Sequence, residues 1–361
     1  LLAGEHPLQR AFLDNNLAIV LEASGAYDQA LRLHERALAL REAALGKDHP
    51  DVAASLDNLA GVHLALGSSE EALRLHTRAL EIYERALGWA HPDVADSLNN
   101  LANTWQARGE YKEAARLHRR ALAIYEQTLG DQHPRVAHSL NNLGLAHYAM
   151  GSHGEAGALF TRALTIQETV KGKTHPDVAT TLNNLANVRH NTREFAEAAR
   201  LYARSLAIYE QSLGKHHPDV AQSLINLAYV HTELGAYDEA TRLFTRALAI
   251  LEQTLDGDHA SLAFALHGLG AIDLARGRPA EAIPRFERAQ AIRATAGVPE
   301  EFLAETRFAL ARALWDADAD RPRARILAEQ VQRAHLAGVG TYQERLAVQA
   351  WLASHPAPAS P

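Results

Sequence analysis

The sequence predicts an all-α fold, a solenoid of antiparallel helix pairs. Three observations predict it. His-Pro recurs at His49-Pro50, His91-Pro92, His133-Pro134, His175-Pro176 and His217-Pro218, always 42 residues apart. A strict period of this length marks an array in which each unit packs only on its neighbours. Within each period the apolar residues recur at gaps of three and four, which gives a helix one apolar face. Glycines then return at two fixed places per period, one after each helical stretch.

The residue pattern within a period reads helix A, tight turn, helix B, loop. In the third unit helix A carries Val94, Leu98, Leu101, Ala102 and Trp105 on one face. Pro92 suits a first helical position, where a missing N–H is no loss. Asp93 sits in the first turn, where negative charge is favoured. Gly109 ends the helix, and Gly25, Gly67, Gly151, Gly235 and Gly277 match it. Helix B follows with Ala114, Leu117, Ala121, Leu122, Ile124 and Leu129, and stops at Gly130, matched by Gly46, Gly88, Gly172 and Gly214. Each helix spans about 15–18 residues, roughly 25 Å at ~1.5 Å per residue.

Seven 42-residue units are predicted over residues 1–297, with starts near positions 6, 49, 91, 133, 175, 217 and 259. The first carries an extra residue before Asn15-Asn16, and the seventh has Ala260 in place of the proline. Two departures bear on structure. Arg193 stands where the turn glycine belongs, so that turn is expected to be built differently. Pro284 falls inside a helix B and is expected to kink or shorten it. Residues 298–354 read as a degenerate helical hairpin plus a capping helix, and 355–361 as a disordered tail. The chain begins with Leu, which suggests an excised piece or a processed product.

Composition excludes several classes. The net charge is −7, with 36 basic and 43 acidic residues. Nucleic-acid binding needs a basic footprint, and a polybasic membrane surface needs the same. No signal peptide and no apolar run of the ~18 residues that span a bilayer is visible. The absence of cysteine removes disulfides, thiolate metal sites and cysteine nucleophiles, and it fits a cytoplasmic location. No phosphate loop, HExxH or GxSxG motif is present, so no catalytic residue is assigned and the chain is read as no enzyme. No cofactor is implied. The His-Pro histidines are not read as a metal site, because successive helices lie ~8–10 Å apart and their side chains cannot meet on one ion.

The signature positions Leu98, Leu101, Ala102, Trp105, Gly109, Tyr111, Ala114 and Ala121 resemble the tetratricopeptide repeat. The wording RALxIxExxLGxxHPxVAxxLNNLA resembles the repeats of kinesin light chain and bacterial arrays of the same style. The likeness covers residues 6–295. Residues 300–353 look more loosely like the closing segment of arrays attached to bacterial signalling proteins such as Ser/Thr kinases. The resemblance implies a right-handed superhelix whose A helices line a concave groove. In the family an extended peptide or a partner helix lies there, its backbone held by asparagines of helix A.

Paired asparagines are the sharpest candidates here. They are Asn15/Asn16, Asn99/Asn100, Asn141/Asn142 and Asn183/Asn184, with Asn58 and Asn226 as the second members of partial copies. Asparagine disfavours helix interiors, so its recurrence needs a reason. One reading is a ladder of amides facing a peptide backbone. The family match assigns that role to the second member of each pair. The other reading is that one amide per pair bonds the neighbouring repeat and sets helix spacing. Asn103 and Asn187 should share the same wall, one turn on. The peptide-binding set is therefore Asn58, Asn99, Asn100, Asn103, Asn141, Asn142, Asn183, Asn184, Asn187 and Asn226. Groove-facing positions also carry Asp57, Asp96, Gln106, His138, His190, Gln222 and Glu233, with Arg189 the only nearby permanent cation. A strongly acidic ligand is thus not expected.

Two functions follow as expectations. The first is a non-catalytic scaffold that binds a protein or peptide in the groove. The second is a regulatory or sensing arm of a larger signalling protein, which could self-associate as a homodimer.

Overall fold

A computed structural model describes residues 6–255 and 257–356. The described residues form seventeen helices: α1 (Pro7–Ala23), α2 (Tyr27–Leu45), α3 (Pro50–Ala65), α4 (Ser69–Leu87), α5 (Pro92–Ala107), α6 (Tyr111–Leu129), α7 (Pro134–Ala149), α8 (His153–Lys171), α9 (Pro176–Asn191), α10 (Phe195–Leu213), α11 (Pro218–Glu233), α12 (Tyr237–Thr254), α13 (Ala260–Ala275), α14 (Pro279–Thr295), α15 (Glu300–Asp316), α16 (Arg321–Leu336) and α17 (Tyr342–Ser354). Odd-numbered helices up to α13 are the A helices, and even-numbered ones up to α14 the B helices.

The A helices begin on a device the sequence reading passed over. His49, His91, His133, His175, His217 and His259 each accept a hydrogen bond at Nδ1 from the backbone N–H two residues on, at 3.1–3.2 Å. The imidazole thus does the work of a capping carboxylate, satisfying one of the free N–H groups of the first turn. At the other end of α5, Glu110 N–H bonds Trp105 O and Gly109 N–H bonds Gln106 O, both at 2.9 Å. This double bond pattern closes a helix when the residue after the cap is left-handed. Gly109 has φ 80°. Arg193 holds the same place with φ 63°, and Glu194 N–H still reaches Arg189 O at 2.8 Å. The turn is therefore conserved in shape, not rebuilt, and Arg193 sits in a backbone region that a Cβ disfavours. Pro284 lies inside α14, which continues through it but spans 17 residues against 19 in α2, α4, α6, α8 and α10.

The chain divides into two compact units, Leu1–Val188 and Arg189–Pro361. In the first, α1–α2, α3–α4, α5–α6 and α7–α8 are antiparallel hairpins, and each B helix packs on the next A helix from α2·α3 to α6·α7. Small residues set the spacing: Ala95, Ala102, Ala114 and Ala121 are all fully buried, alongside Val94 and Leu98. One apolar core runs from Val52 to Ile166, while Ala18, Ala30 and Val62 form a smaller cluster at the first hairpin. In the second unit, α11–α12 and α13–α14 repeat the hairpin, and α15, α16 and α17 follow in sequence. Their core gathers Phe286, Leu310, Leu314, Leu327, Val331 and Val348. Thr341 and Glu344 form a capping box at α17. Of the expected disordered tail, residues 357–361 lie outside those described, whereas His355 stacks on Trp351 with ring centroids 4.3 Å apart.

Five arginines at one register of helix B pair across repeats rather than within their own helix. They reach back one repeat: Arg78 to Glu42, Arg120 to Glu84 and Arg162 to Glu126 in the first unit, Arg246 to Glu210 and Arg288 to Glu252 in the second, at 2.6–2.7 Å. Glutamates in the first turn of helix B, Glu71, Glu113, Glu197 and Glu239, pair with the arginine one turn on.

Candidate peptide-binding site

Asn15, Asn99 and Asn141, each the first residue of its pair, face the seam between repeats. Asn99 is 5% exposed. Its Oδ1 accepts from His118 Nδ1 of helix B at 2.7 Å, and its Nδ2 donates to Ser139 Oγ of the next repeat at 3.0 Å. Asn15 is held likewise by His34 at 3.1 Å, and the partial copy Asp57 by His76 at 2.9 Å. Asn141, half-buried, accepts from Thr181 Oγ1 at 3.4 Å. Burial demands this pairing, since an amide enclosed without partners costs about 1–3 kcal/mol. Where the partners are absent the amide is absent too: Ile225 occupies the position at 1% exposure, and buried Phe244 and Ala265 hold the places of the histidine and the hydroxyl.

Three second-position amides are drawn into the same seam. Asn58 Nδ2 donates to Asn15 Oδ1 at 2.8 Å, and Asn184 Nδ2 to Asn141 Oδ1 at 3.1 Å. Asn100 bonds Asp57, whose carboxyl burial pushes up while His76, Ser97 and Asn100 pull it back. A ladder of amides open to a ligand is therefore not what these residues form. Asn99 must be withdrawn as a groove residue, and Asn58, Asn100 and Asn184 present only what their bonds to the preceding repeat leave. Asn142, Asn183 and Asn187 are half-buried, Asn226 accepts from Gln222 at 3.1 Å, and Asn103 is exposed.

The opening itself lies elsewhere on the A helices. A cleft of about 410 Å³ sits in the first unit over the first turns of α5, α7 and α9. Asp96, His138 and Asn141, all expected near a groove, line it. So do Tyr125, Gln167 and Lys171 of the B helices, which the sequence reading missed. Tyr125 and Gln167 share one register with Arg41, Tyr83, Tyr209, Leu251 and Arg293, a position that changes chemistry while its neighbours stay constant. That variability was the available signal.

Charge in the cleft is balanced. Arg135 pairs with Asp96 at 2.9 Å, and Lys171 with Asp177. Two cations thus stand where only Arg189 was expected nearby, but each is already answered by a carboxylate. Tyr125 donates its hydroxyl to Asp96, and burial pushes its phenol well above the ordinary range. Gln167 is 7% exposed, and its Oε1 has no hydrogen-bond partner among the described residues. An enclosed acceptor without a partner can take an incoming N–H once its amide turns into the cleft. Among the described residues no group of acidic, histidine and cysteine side chains is arranged to hold a metal ion. No described helix is long and apolar enough to cross a membrane.

The tetratricopeptide repeat model matches residues 9–85, 93–169, 142–211, 177–253 and 226–295. No curated protein matches the chain. Among solved structures, BtubC (BKLC) from P. vanneervenii is 27% identical with a TM-score of 0.56, over 63% of this chain and 91% of that one. A putative kinesin light chain of nearly identical TPR-like repeats from Podosopora anserina is 29% identical with a TM-score of 0.50, over 57% and 98%. A signal transduction ATPase (STAND) with a tetratricopeptide repeat sensor from Pyrococcus horikoshii, 15% identical, shares the fold with a TM-score of 0.65 over 96% and 49%. With the family model spanning most of residues 9–295, this chain belongs to the tetratricopeptide repeat family, in an array like those of kinesin light chain.

Proposed function

We propose that the chain is a non-catalytic docking scaffold for an extended polypeptide, anchored at the cleft over α5, α7 and α9. The unpartnered Gln167 oxygen carries this reading. A peptide backbone N–H reaching Oε1 removes the penalty of a buried open acceptor. His138 and Thr180 offer further polar contact at the rim. Because Arg135 and Lys171 are already paired, the fitting ligand is neutral or mildly basic rather than strongly acidic. Asn103 and Asn142 extend the polar wall on neighbouring turns. A cytoplasmic setting fits the cysteine-free composition.

Selection from a displayed library of random peptides tests it. Peptides that bind the chain should lose most of their affinity to Gln167→Leu and His138→Ala, with helicity unchanged. If selected peptides bind both variants as tightly as the parent, the cleft is not the docking site.

A further inference from the structure

Two arginines share the register of Gln167: Arg41 in the first repeat and Arg293 in the seventh, three repeats to either side. They make the same pair of bonds. Arg41 Nη1 donates to the backbone oxygen of Asp51 at 3.0 Å and to Ser55 Oγ at 2.6 Å. Arg293 Nη1 donates to the backbone oxygen of Phe302 at 2.5 Å and to Thr306 Oγ1. Each pair of acceptors is a first-turn carbonyl of the following helix and a hydroxyl four residues on. One guanidinium nitrogen thus gives both its N–H groups to a fixed pair of acceptors. Arg293 is 2% exposed, and its guanidinium lies 4.9 Å from the ring centroid of Phe264 and 5.5 Å from that of Phe302, within cation–π range. In both units, then, the chain itself seats a guanidinium at this place between repeats.

The cleft holds the same acceptors with no arginine of its own between them. Register places Asp177 and Thr181 of α9 where Asp51 and Ser55 stand in α3, and where Phe302 and Thr306 stand in α15. Bonding confirms the second match, since Thr306 meets His267 as Thr181 meets Asn141. Asp177 and Thr181 both line the cleft, and Thr181, at 1% exposure, is its floor. The Thr181 hydroxyl donates to Asn141, which leaves its lone pairs to accept. Gln167 stands in the place of Arg41 and Arg293 with a shorter, uncharged side chain whose Oε1 has no partner among the described residues. His138, also in the lining, takes the position of Phe264 and supplies a ring.

We propose that the cleft is an arginine pocket: an arginine of the bound polypeptide sets its guanidinium where Arg41 and Arg293 set theirs, with N–H groups on the Asp177 backbone oxygen and Thr181 Oγ1. The proposal rests on the cleft being the docking site, and it adds which residue of the ligand anchors there. The bonds use the main-chain oxygen of Asp177, so its carboxylate stays with Lys171. Lysine is the weaker fit, because an ammonium is more strongly hydrated and has no flat face to set against the His138 ring.

Peptides selected on the whole chain from a displayed random library should share one arginine. Exchanging that arginine for lysine should weaken binding at least about tenfold, measured by fluorescence anisotropy of the labelled peptide. Gln167→Arg should seat the chain's own guanidinium on the same two acceptors, keep the melting temperature of the parent, and abolish binding of the arginine peptides. Gln29→Arg adds the same charge at an exposed site of α2 and should bind them as the parent does. A selection that returns no arginine-bearing binder overturns the proposal. Binders that lose affinity to Gln167→Leu yet accept lysine as well as arginine overturn it too, and leave the cleft standing as the docking site. Binders indifferent to Gln167→Leu place docking elsewhere, and both readings fall. A folded Gln167→Arg chain that still binds arginine peptides at parent affinity overturns the arginine pocket alone.

Discussion

The third and sixth repeats solve one packing problem with opposite chemistry. In the third, Asn99, His118 and Ser139 meet in a buried hydrogen-bonded cluster. In the sixth, the matching Ile225, Phe244 and Ala265 are buried without polar side-chain atoms. The aromatic ring is larger than the imidazole, and the backbone makes room for it. A Cβ on Gly268 would come within 2.3 Å of the Phe244 ring, and one on Gly144 within 2.6 Å of Phe160. The third repeat keeps Ala102 where Gly144 stands in the fourth. Each seam is thus a matched set of about four positions drawn from two adjoining repeats, and a change at one is tolerated only with the others.

The largest effect should come from mismatching a set. Asn99→Ile leaves His118 Nδ1 and the Ser139 hydroxyl buried without their partner, and should lower stability by about 2–5 kcal/mol. Adding His118→Phe, Ser139→Ala and Asn142→Gly, which match Phe244, Ala265 and Gly268, converts the seam to the apolar kind and should recover most of the loss. Urea midpoints of the single and quadruple variants decide this; no recovery would mean the two seams are not interchangeable.

Acid should separate the two kinds of seam next. Burial depresses the His118 imidazole to about 4, whereas an unfolded histidine titrates near 6.5. The unfolded chain therefore takes up the proton first. Stability from this group is full above about pH 6.5, declines as the pH falls, and reaches a deficit of roughly 3 kcal/mol by about pH 4. Carrying the quadruple substitution, the chain should lose that part of its pH dependence, measured as urea midpoint against pH. An unchanged profile would assign the acid response to other groups.

Smaller is the effect of filling the aromatic seam. Gly144→Ala puts a methyl group into the Phe160 ring and should cost about 1–3 kcal/mol. Ala102→Gly in the polar seam adds space that nothing fills, and should cost only about 1 kcal/mol. Equal losses would show that the glycine is not there for the ring. Least of all, Arg193→Gly should raise the melting temperature slightly, by relieving a left-handed residue worth up to about 1 kcal/mol. A lower melting temperature would mean the Arg193 side chain earns its place.

Much of this fold was readable from the residues. The period placed the hairpins, and the glycines placed their ends, because helix termination is local chemistry. Seam chemistry was less legible. Neighbouring residues on a helix point about 100° apart, given 3.6 residues per turn, and the pattern Leu-Asn-Asn-Leu leaves open which amide turns inward. Ile225 gave the answer in the sequence itself, since an isoleucine at that place has no business in a polar groove. The pairing of Asn15, Asp57 and Asn99 with His34, His76 and His118 pointed the same way. The N-terminal role of the His-Pro histidines was hidden because an imidazole is an unusual cap. The cleft was missed because attention to the A helices left the Tyr125 and Gln167 register of the B helices unread.

The matched seams also bear on how such a chain can lengthen. A gene segment encoding one repeat can be copied in tandem only where the new junction joins like with like. Duplicating the third repeat in place sets Asn99 of one copy against Ser97 of the next, a hydroxyl ready to receive it. Inserting the sixth ahead of it would set Ile225 there and leave that hydroxyl facing hydrocarbon. Growth by copying within a run of one kind is open, while shuffling between kinds is penalised at every new join.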